Sequence, residues 1–322
     1  MAADLAANPG EARLSTAWAE RAVALFRESG DERGLAHALA ALSSALGNEG
    51  RLDDAEAALA EAVGIARRLE ERLLLARALN FESFIASRRG DHQRAAVVNR
   101  EELATWSQLG SRRGQATALR HLAVAHWYMD DLDEAENLCR RALELWEGLD
   151  DPTSVAHVHL TLGDIARLRG DRPRATAQYE AALADLRLVG DRRCTASSLK
   201  NLGLVAIEEG GLGRATALLT EAMRLRRELG DVAGLAECLE GLAVVHSRSG
   251  DHEAAVTLVS LASATRGATG ANPSPADRER AAAAADLARR HLPPDRFEAA
   301  IDRGRDIDVD DVLAWCVTSA VL

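Results

Sequence analysis

Aromatic residues are scarce in this sequence, only 3% of 322, and lysine occurs once, at Lys200. The apolar share is still 47%, carried by alanine, leucine and valine. Without runs of β-branched and aromatic residues a sheet protein is excluded, and the composition favours close-packed helices. No stretch approaches the roughly 18 consecutive apolar residues of a membrane-spanning helix. The N-terminus, MAADLAANPGEARLS, lacks the basic start and apolar core of a signal peptide. Cys139, Cys194, Cys238 and Cys316 lie far apart, with neither a CxxC pair nor a metal-type spacing, which suits reduced thiols. Net charge is −11, with acids and bases mixed along the chain. That leaves no basic stripe for a phosphate backbone. A soluble cytoplasmic protein follows, with no membrane contact and no direct nucleic acid contact by this segment. The single lysine among many arginines reflects the codon bias of a GC-rich genome.

What the sequence does have is a period of 40 residues. Gly50, Gly90, Gly170, Gly210 and Gly250 keep that spacing, with Asp130 in the remaining place. A second ladder, Gly30, Gly110, Gly190 and Gly230, runs half a period away. An alanine follows the first ladder by five residues each time, at Ala55, Ala95, Ala135, Ala175, Ala215 and Ala255. Glycine ends a helix in the left-handed conformation, and an aspartate after it can cap the next one. GDHQRA at 90, GDRPRA at 170 and GDHEAA at 250 carry this punctuation. Pro173 falls in a first turn, where its missing N–H costs nothing. Leu199, Leu202 and Ala206 share one helical face. Each period therefore predicts two helices, and such hairpins bury their apolar faces only by stacking on neighbours.

These residues resemble the tetratricopeptide repeat (TPR) family. Leu199, Leu202, Gly203, Ala206, Ala215, Leu219 and Ala222 match its spacing, as do Leu162, Gly163, Ala166, Ala175, Tyr179 and Ala182. Glu82 and Glu102 depart from it, standing where a leucine and a final alanine belong, so that repeat is expected to pack less well. The resemblance implies an all-α fold, a right-handed α-α superhelix (TPR solenoid) with a short C-terminal helical cap. The divisions are a lone second helix within residues 1–29, spanning 12–29, six hairpins within 30–270, and the cap within 271–322. Small residues at Gly203 and Ala215 let two helices approach closely.

The tail breaks the period. Asn272-Pro273-Ser274-Pro275 predicts a linker, and three helices follow, at about 276–291, 294–303 and 308–319. The tail resembles the C-terminal end of bacterial LuxR-type, MalT-like ATPase-containing transcriptional regulators. The resemblance rests on Ala268-Thr269-Gly270-Ala271, Glu279-Arg280, Phe297 to Arg305 with its F-x-x-A and G-R elements, and Asp310-Asp311-Val312-Leu313-Ala314. It implies that the repeats are the sensing half of a regulator. The ATPase and DNA-reading parts would lie upstream, and neither a GxxxxGK[ST] motif nor a basic recognition helix occurs here.

Chemical motifs are sparse. Gly210-Gly211-Leu212-Gly213 follows a helix and occupies a turn position, unlike a dinucleotide loop. His121 and His126 diverge around a helix, as do His157 and His159, while His126 and His246 share a packing position. No HExxH occurs, no GxSxG, and no paired carboxylates stand out. Trp106 and Trp146, one period apart, are expected to join hairpins in the core. No catalytic residue, metal or cofactor is expected.

In the TPR family the first helix of each hairpin lines the concave groove. Carried over, the groove positions are Arg77, Asn80 and Arg88, then Arg120, Trp127 and Tyr128. His157, Asp164 and Arg167 follow, then Lys200 and Glu208, then Glu237, Glu240 and Arg248. This predicts a groove basic near Arg77 and acidic near Glu208 to Glu240. Arginine grips carboxylates in a bidentate fork and Trp127-Tyr128 offers an apolar anchor. The expected partner is a protein or peptide segment with an acidic or C-terminal carboxylate end, or upstream effector domains. Two functions stay open: the sensing part of a LuxR-type regulator, and a stand-alone adaptor that scaffolds protein complexes.

Overall fold

The computed structural model describes residues 9–267 and 275–319. Helices alone make up its regular structure among those residues. After α1 (Pro9–Ser29) come six hairpins. They are α2 (Glu32–Asn48) with α3 (Leu52–Arg68), α4 (Arg72–Arg88) with α5 (His92–Gln108), and α6 (Arg112–Tyr128) with α7 (Leu132–Trp146). Then follow α8 (Pro152–Leu168) with α9 (Arg172–Val189), α10 (Arg192–Glu208) with α11 (Leu212–Glu228), and α12 (Val232–Ser249) with α13 (His252–Gly267). The tail forms α14 (Pro275–His291), α15 (Pro294–Asp306) and α16 (Val309–Ser319). The Ala268–Ala271 motif and the expected linker up to Ser274 lie outside the described residues; Pro275 already belongs to α14. Among the described residues no helix is long and apolar enough to cross a membrane.

The glycine ladders are the helix stops. Every member of both ladders has positive φ, from 64° at Gly230 to 86° at Gly250. The rule extends past glycine, since Asp130 (φ 62°) and Glu70 (φ 55°) fill ladder positions in the same left-handed conformation. The aspartate caps form as well. Asp91, Asp171, Asp191 and Asp231 each accept a hydrogen bond from the backbone N–H three residues on, at 2.9–3.2 Å. Pro173 sits in the first turn of α9. All six periodic alanines are fully buried, so each marks the point where the second helix of a hairpin meets the first.

Two compact units divide the chain between Thr161 and Leu162. In the first, Val23, Leu39, Ile65 and Leu74 form one core, and Leu46, Leu59, Val63 and Ile85 another. The helix α1 begins at Pro9 and packs on α2, with Phe26 lying over Gly34. In the second, Leu199, Leu202, Leu219, Met223 and Leu242 are buried. A Cβ on Gly203 would stand 2.8 Å from Leu219 Cγ, the close approach its spacing predicts.

Successive hairpins meet by complementary size. Near its C-terminal end a second helix presents Phe26, Trp106 or Arg226; eight residues on, the next hairpin answers with Gly34, Gly114 or Gly234. A Cβ on Gly114 would lie 2.6 Å from Trp106 Cε3, and one on Gly234 2.6 Å from Arg226 Nε. Where the second helix instead carries Ala66, the next hairpin carries Leu74, and both belong to one core. Trp146 is also buried in this position, with the Arg113 guanidinium 5.5 Å from its ring centre.

The two departures from the repeat pattern are compensated. Glu102 is buried, and its Oε1 accepts from Asn80 Nδ2 and from Trp106 Nε1, each at 3.1 Å. Glu82 pairs with Arg94 at 3.0 Å. Polar contacts thus stand in for apolar packing in this repeat, while Glu102 Oε2 stays buried without a hydrogen-bond partner, 4.0 Å from His121 Nδ1.

In the second unit the tail closes on the last hairpins. The Phe297, Ala300 and Gly304 side of α15 is buried against α13. A Cβ on Gly304 would collide with the Thr257 carbonyl and stand 2.6 Å from Ser260 Cβ. Thr257 and Ser260 hydroxyls donate to the carbonyls of Ala300 and Ile301 at 3.3 and 2.7 Å. The F-x-x-A-x-x-x-G pattern is therefore a docking face. Its residues are set by contact with the solenoid.

Candidate partner-binding groove

The first helices carry the candidate groove, and each unit presents its own share. In the first unit Arg77 and Arg88 project from α4 into solvent. Neither has an ion-pair or hydrogen-bond partner among the described residues. Asn80 and Arg120 behave differently, both being drawn toward His121. Arg120 approaches its Nε2 at 2.7 Å and Asn80 its Nδ1 at 3.0 Å. A guanidinium can only donate, so Nε2 accepts. Burial first, and then the Arg120 charge, push the His121 imidazole below its ordinary value, which keeps it neutral. A cavity of about 350 Å³ opens beside this cluster, lined among others by Arg77, Asn80, Trp106, Arg113 and Thr117.

Trp127 and Tyr128 end α6. Tyr128 is 57% exposed, its ring stacked on His92 at 4.2 Å with 3° between planes. Trp127 is half-buried against it, with ring centres 4.5 Å apart. His157 is half-buried on α8. The first unit therefore combines two cations that have no partner among the described residues with an exposed aromatic residue stacked on a histidine.

The second unit departs from the expected acidic surface. Asp164 accepts from Tyr179 Oη at 2.6 Å and from Asn201 Nδ2 at 3.2 Å. Burial raises its carboxyl above the usual range, and the Tyr179 hydrogen bond partly offsets this. Glu208 is paired with Arg167 at 3.4 Å and Arg172 at 3.7 Å, and Glu237 with Lys200 at 3.1 Å. Glu240 does not reach the groove surface; it is buried in a two-pronged pair with Arg266, at 3.1 and 2.8 Å. Arg248 donates to the Ile207 carbonyl at 2.6 Å. The charges cancel because a 40-residue period sets acid and base side by side on neighbouring first helices, with Arg167 and Glu208 41 residues apart. Helix α14 contributes the part that the repeat pattern could not supply. Its Arg280, Ala284 and Leu287 close a cavity of about 410 Å³ with Leu204, Glu208 and Arg248.

The Cys139 and Cys238 thiols are buried and pushed up to about 12, so they stay protonated. His126 contacts the cap residue Asp131 at 2.9 Å, and His246 repeats this with Asp251 at 3.5 Å.

A tetratricopeptide repeat model matches residues 114–188 and 191–266, and another matches residues 36–68. The chain is a tetratricopeptide repeat protein. Comparison with curated protein sequences finds no match. Among solved structures, this TPR chain is similar to BtubC (BKLC) from P. vanneervenii, at 25% identity and a TM-score of 0.58, covering 68% of this chain and 92% of that one. It is similar in fold to PH0952 from Pyrococcus horikoshii, a signal transduction ATPase with a tetratricopeptide repeat sensor. The TM-score is 0.63 at 13% identity, over 97% of this chain and 48% of that one. The fold also matches the quorum sensor NprR from B. thuringiensis, with a TM-score of 0.59 at 11% identity over 89% of this chain and 84% of that one.

Proposed function

We propose that this TPR protein is a non-catalytic regulatory module that holds a polypeptide segment against its first helices. The segment would carry an acidic side chain or C-terminal carboxylate. The observation that carries this is the first unit's surface, where Arg77 and Arg88 have no partner among the described residues and Tyr128 stands exposed on His92. An unpaired guanidinium can grip a carboxylate bidentately, and a rigid aromatic ring gives contact area at little entropic cost. The compensated charges of the second unit leave the first as the recognising part. Within this reading the module is the sensing half of a bacterial regulator of LuxR type, in line with the F-x-x-A and G-R tail and with sensors among proteins of similar fold. Selection from a displayed peptide library tests it. Enriched peptides should be rich in carboxylates and bind the Arg77→Ala, Arg88→Ala variant at least tenfold more weakly. Enrichment without carboxylates, or equal binding by a folded double variant, would remove the reading.

A further inference from the structure

The helix α1 has two unlike faces. Thr16, Ala19 and Val23 are buried against the first hairpin. On the other side Leu14, Trp18 and Leu25 are 58, 64 and 57% exposed, and Arg21 is exposed between them. The repeat supplies a control for this face. The counterparts of Trp18 in the next three second helices are Ala58, Val98 and Leu138, each at most 8% exposed. Those of Leu25 in the next two are Ile65 and Thr105, at 5 and 6%. The positions of Trp18 and Leu25 are thus buried in the next two second helices, whereas on α1 both stand in the open.

The spacing of the stripe selects its occupant. Positions 14, 18, 21 and 25 are separated by four, three and four residues, the d-a-d-a order of a helix-pairing seam. That order is a palindrome. When two copies of α1 pair antiparallel about a two-fold axis, Leu14 of each meets Leu25 of the other, and Trp18 of each meets Arg21 of the other. The two aliphatic contacts flank two cation–π contacts. A parallel pairing would set Arg21 against Arg21, so charge selects the antiparallel arrangement, in which a two-fold axis makes the two halves of the seam identical. Ser15, Ala17, Ala22 and Ala24, beside the seam, are small enough for the helix axes to come within about 8–10 Å.

We propose that the exposed face of α1 is a self-association surface, through which two copies of this chain pair antiparallel by Trp18–Arg21 and Leu14–Leu25 contacts. The seam spans eleven residue steps, about 17 Å, a small interface, so a weak dimer with a micromolar Kd is expected. It is independent of the first-helix surface assigned to the partner.

Sedimentation velocity of the full chain, from about 1 to 200 µM, brackets that Kd. Wild type should move from the 34.5 kDa monomer toward twice that mass. Trp18→Glu, whose site is exposed and whose fold should be unaffected, should stay monomeric throughout. The exchange Trp18→Arg with Arg21→Trp keeps every pair of the palindrome and should restore the dimer to within about threefold in Kd, whereas Trp18→Arg alone, which sets a second arginine against Arg21, should not. Wild type that stays monomeric overturns the proposal, as it would if the face instead seats a helical hairpin of another protein. A dimer that survives Trp18→Glu overturns it too, and so does an exchange variant that fails to associate.

Discussion

Replacing Trp106 by alanine and Gly114 by leucine exchanges the large and small partners of one hairpin junction. The result copies the Ala66 and Leu74 arrangement one repeat earlier. Each change alone should be harmful. Trp106→Ala removes a half-buried ring and one of the two donors to Glu102 Oε1. The lost packing costs about 2–3 kcal/mol, below the range for a fully buried ring, and the missing hydrogen bond adds about 1 kcal/mol. Gly114→Leu drives a side chain into a ring whose Cγ and Cε3 lie 2.6 Å from the new Cβ. Overpacking of that kind costs about 1–3 kcal/mol, of which helix propensity returns up to about 1 kcal/mol. If the junction works by size, leucine fills what tryptophan vacates, and the double variant should lose only about 2 kcal/mol. The coupling would then be about 2–3 kcal/mol, far above the roughly 0.5 kcal/mol expected of independent sites. Urea denaturation followed by circular dichroism measures it, provided the slope is the same for all four proteins. Additive losses would refute the idea that these junctions are matched by size.

The remaining predictions concern turns, the tail and pH. Glu70 holds a positive φ that suits glycine, so Glu70→Gly should raise stability by about 1 kcal/mol in the same denaturation assay. Gly304→Ala forces a Cβ onto the Thr257 carbonyl; a cost of about 1–3 kcal/mol should appear as faster amide exchange in α15 than in α10. The His121 imidazole is held below its ordinary value of about 6.5 by burial and then by the Arg120 charge. A depressed histidine contributes stability that is present above pH 6.5 and lost as the pH falls from there toward its folded value. Thermal scans should show wild type losing stability below pH 6.5, and His121→Gln losing less over the same interval.

The sequence already carried the helix count and the stops, because glycine geometry and aspartate caps are local. Ladder position 70 was harder, since a glutamate there looks like an ordinary helix residue until its φ is seen. The size rule was also present, as Trp106 and Gly114 are eight residues apart, but without a junction in view that glycine looked like a plain helix residue. The groove was legible by position only. A family register identifies which residues stand on first helices, and it found Arg77, Arg88 and Tyr128. It could not show that Glu208 and Glu237 are neutralised or that Glu240 is buried with Arg266, because those outcomes depend on residues 26 to 41 positions away. Nor could it place α14 beside Glu208, since that helix lies outside the repeat.

The most direct test of partner binding is site-specific photocrosslinking in source cells, with a benzophenone amino acid at Tyr128 or, as control, at the exposed Val97 on α5. If the first-helix surface holds a polypeptide, position 128 should give a discrete crosslinked product that Arg77→Ala with Arg88→Ala abolishes, and position 97 should give none. Equal products at both positions, or a product at 128 untouched by the arginine changes, would contradict the account.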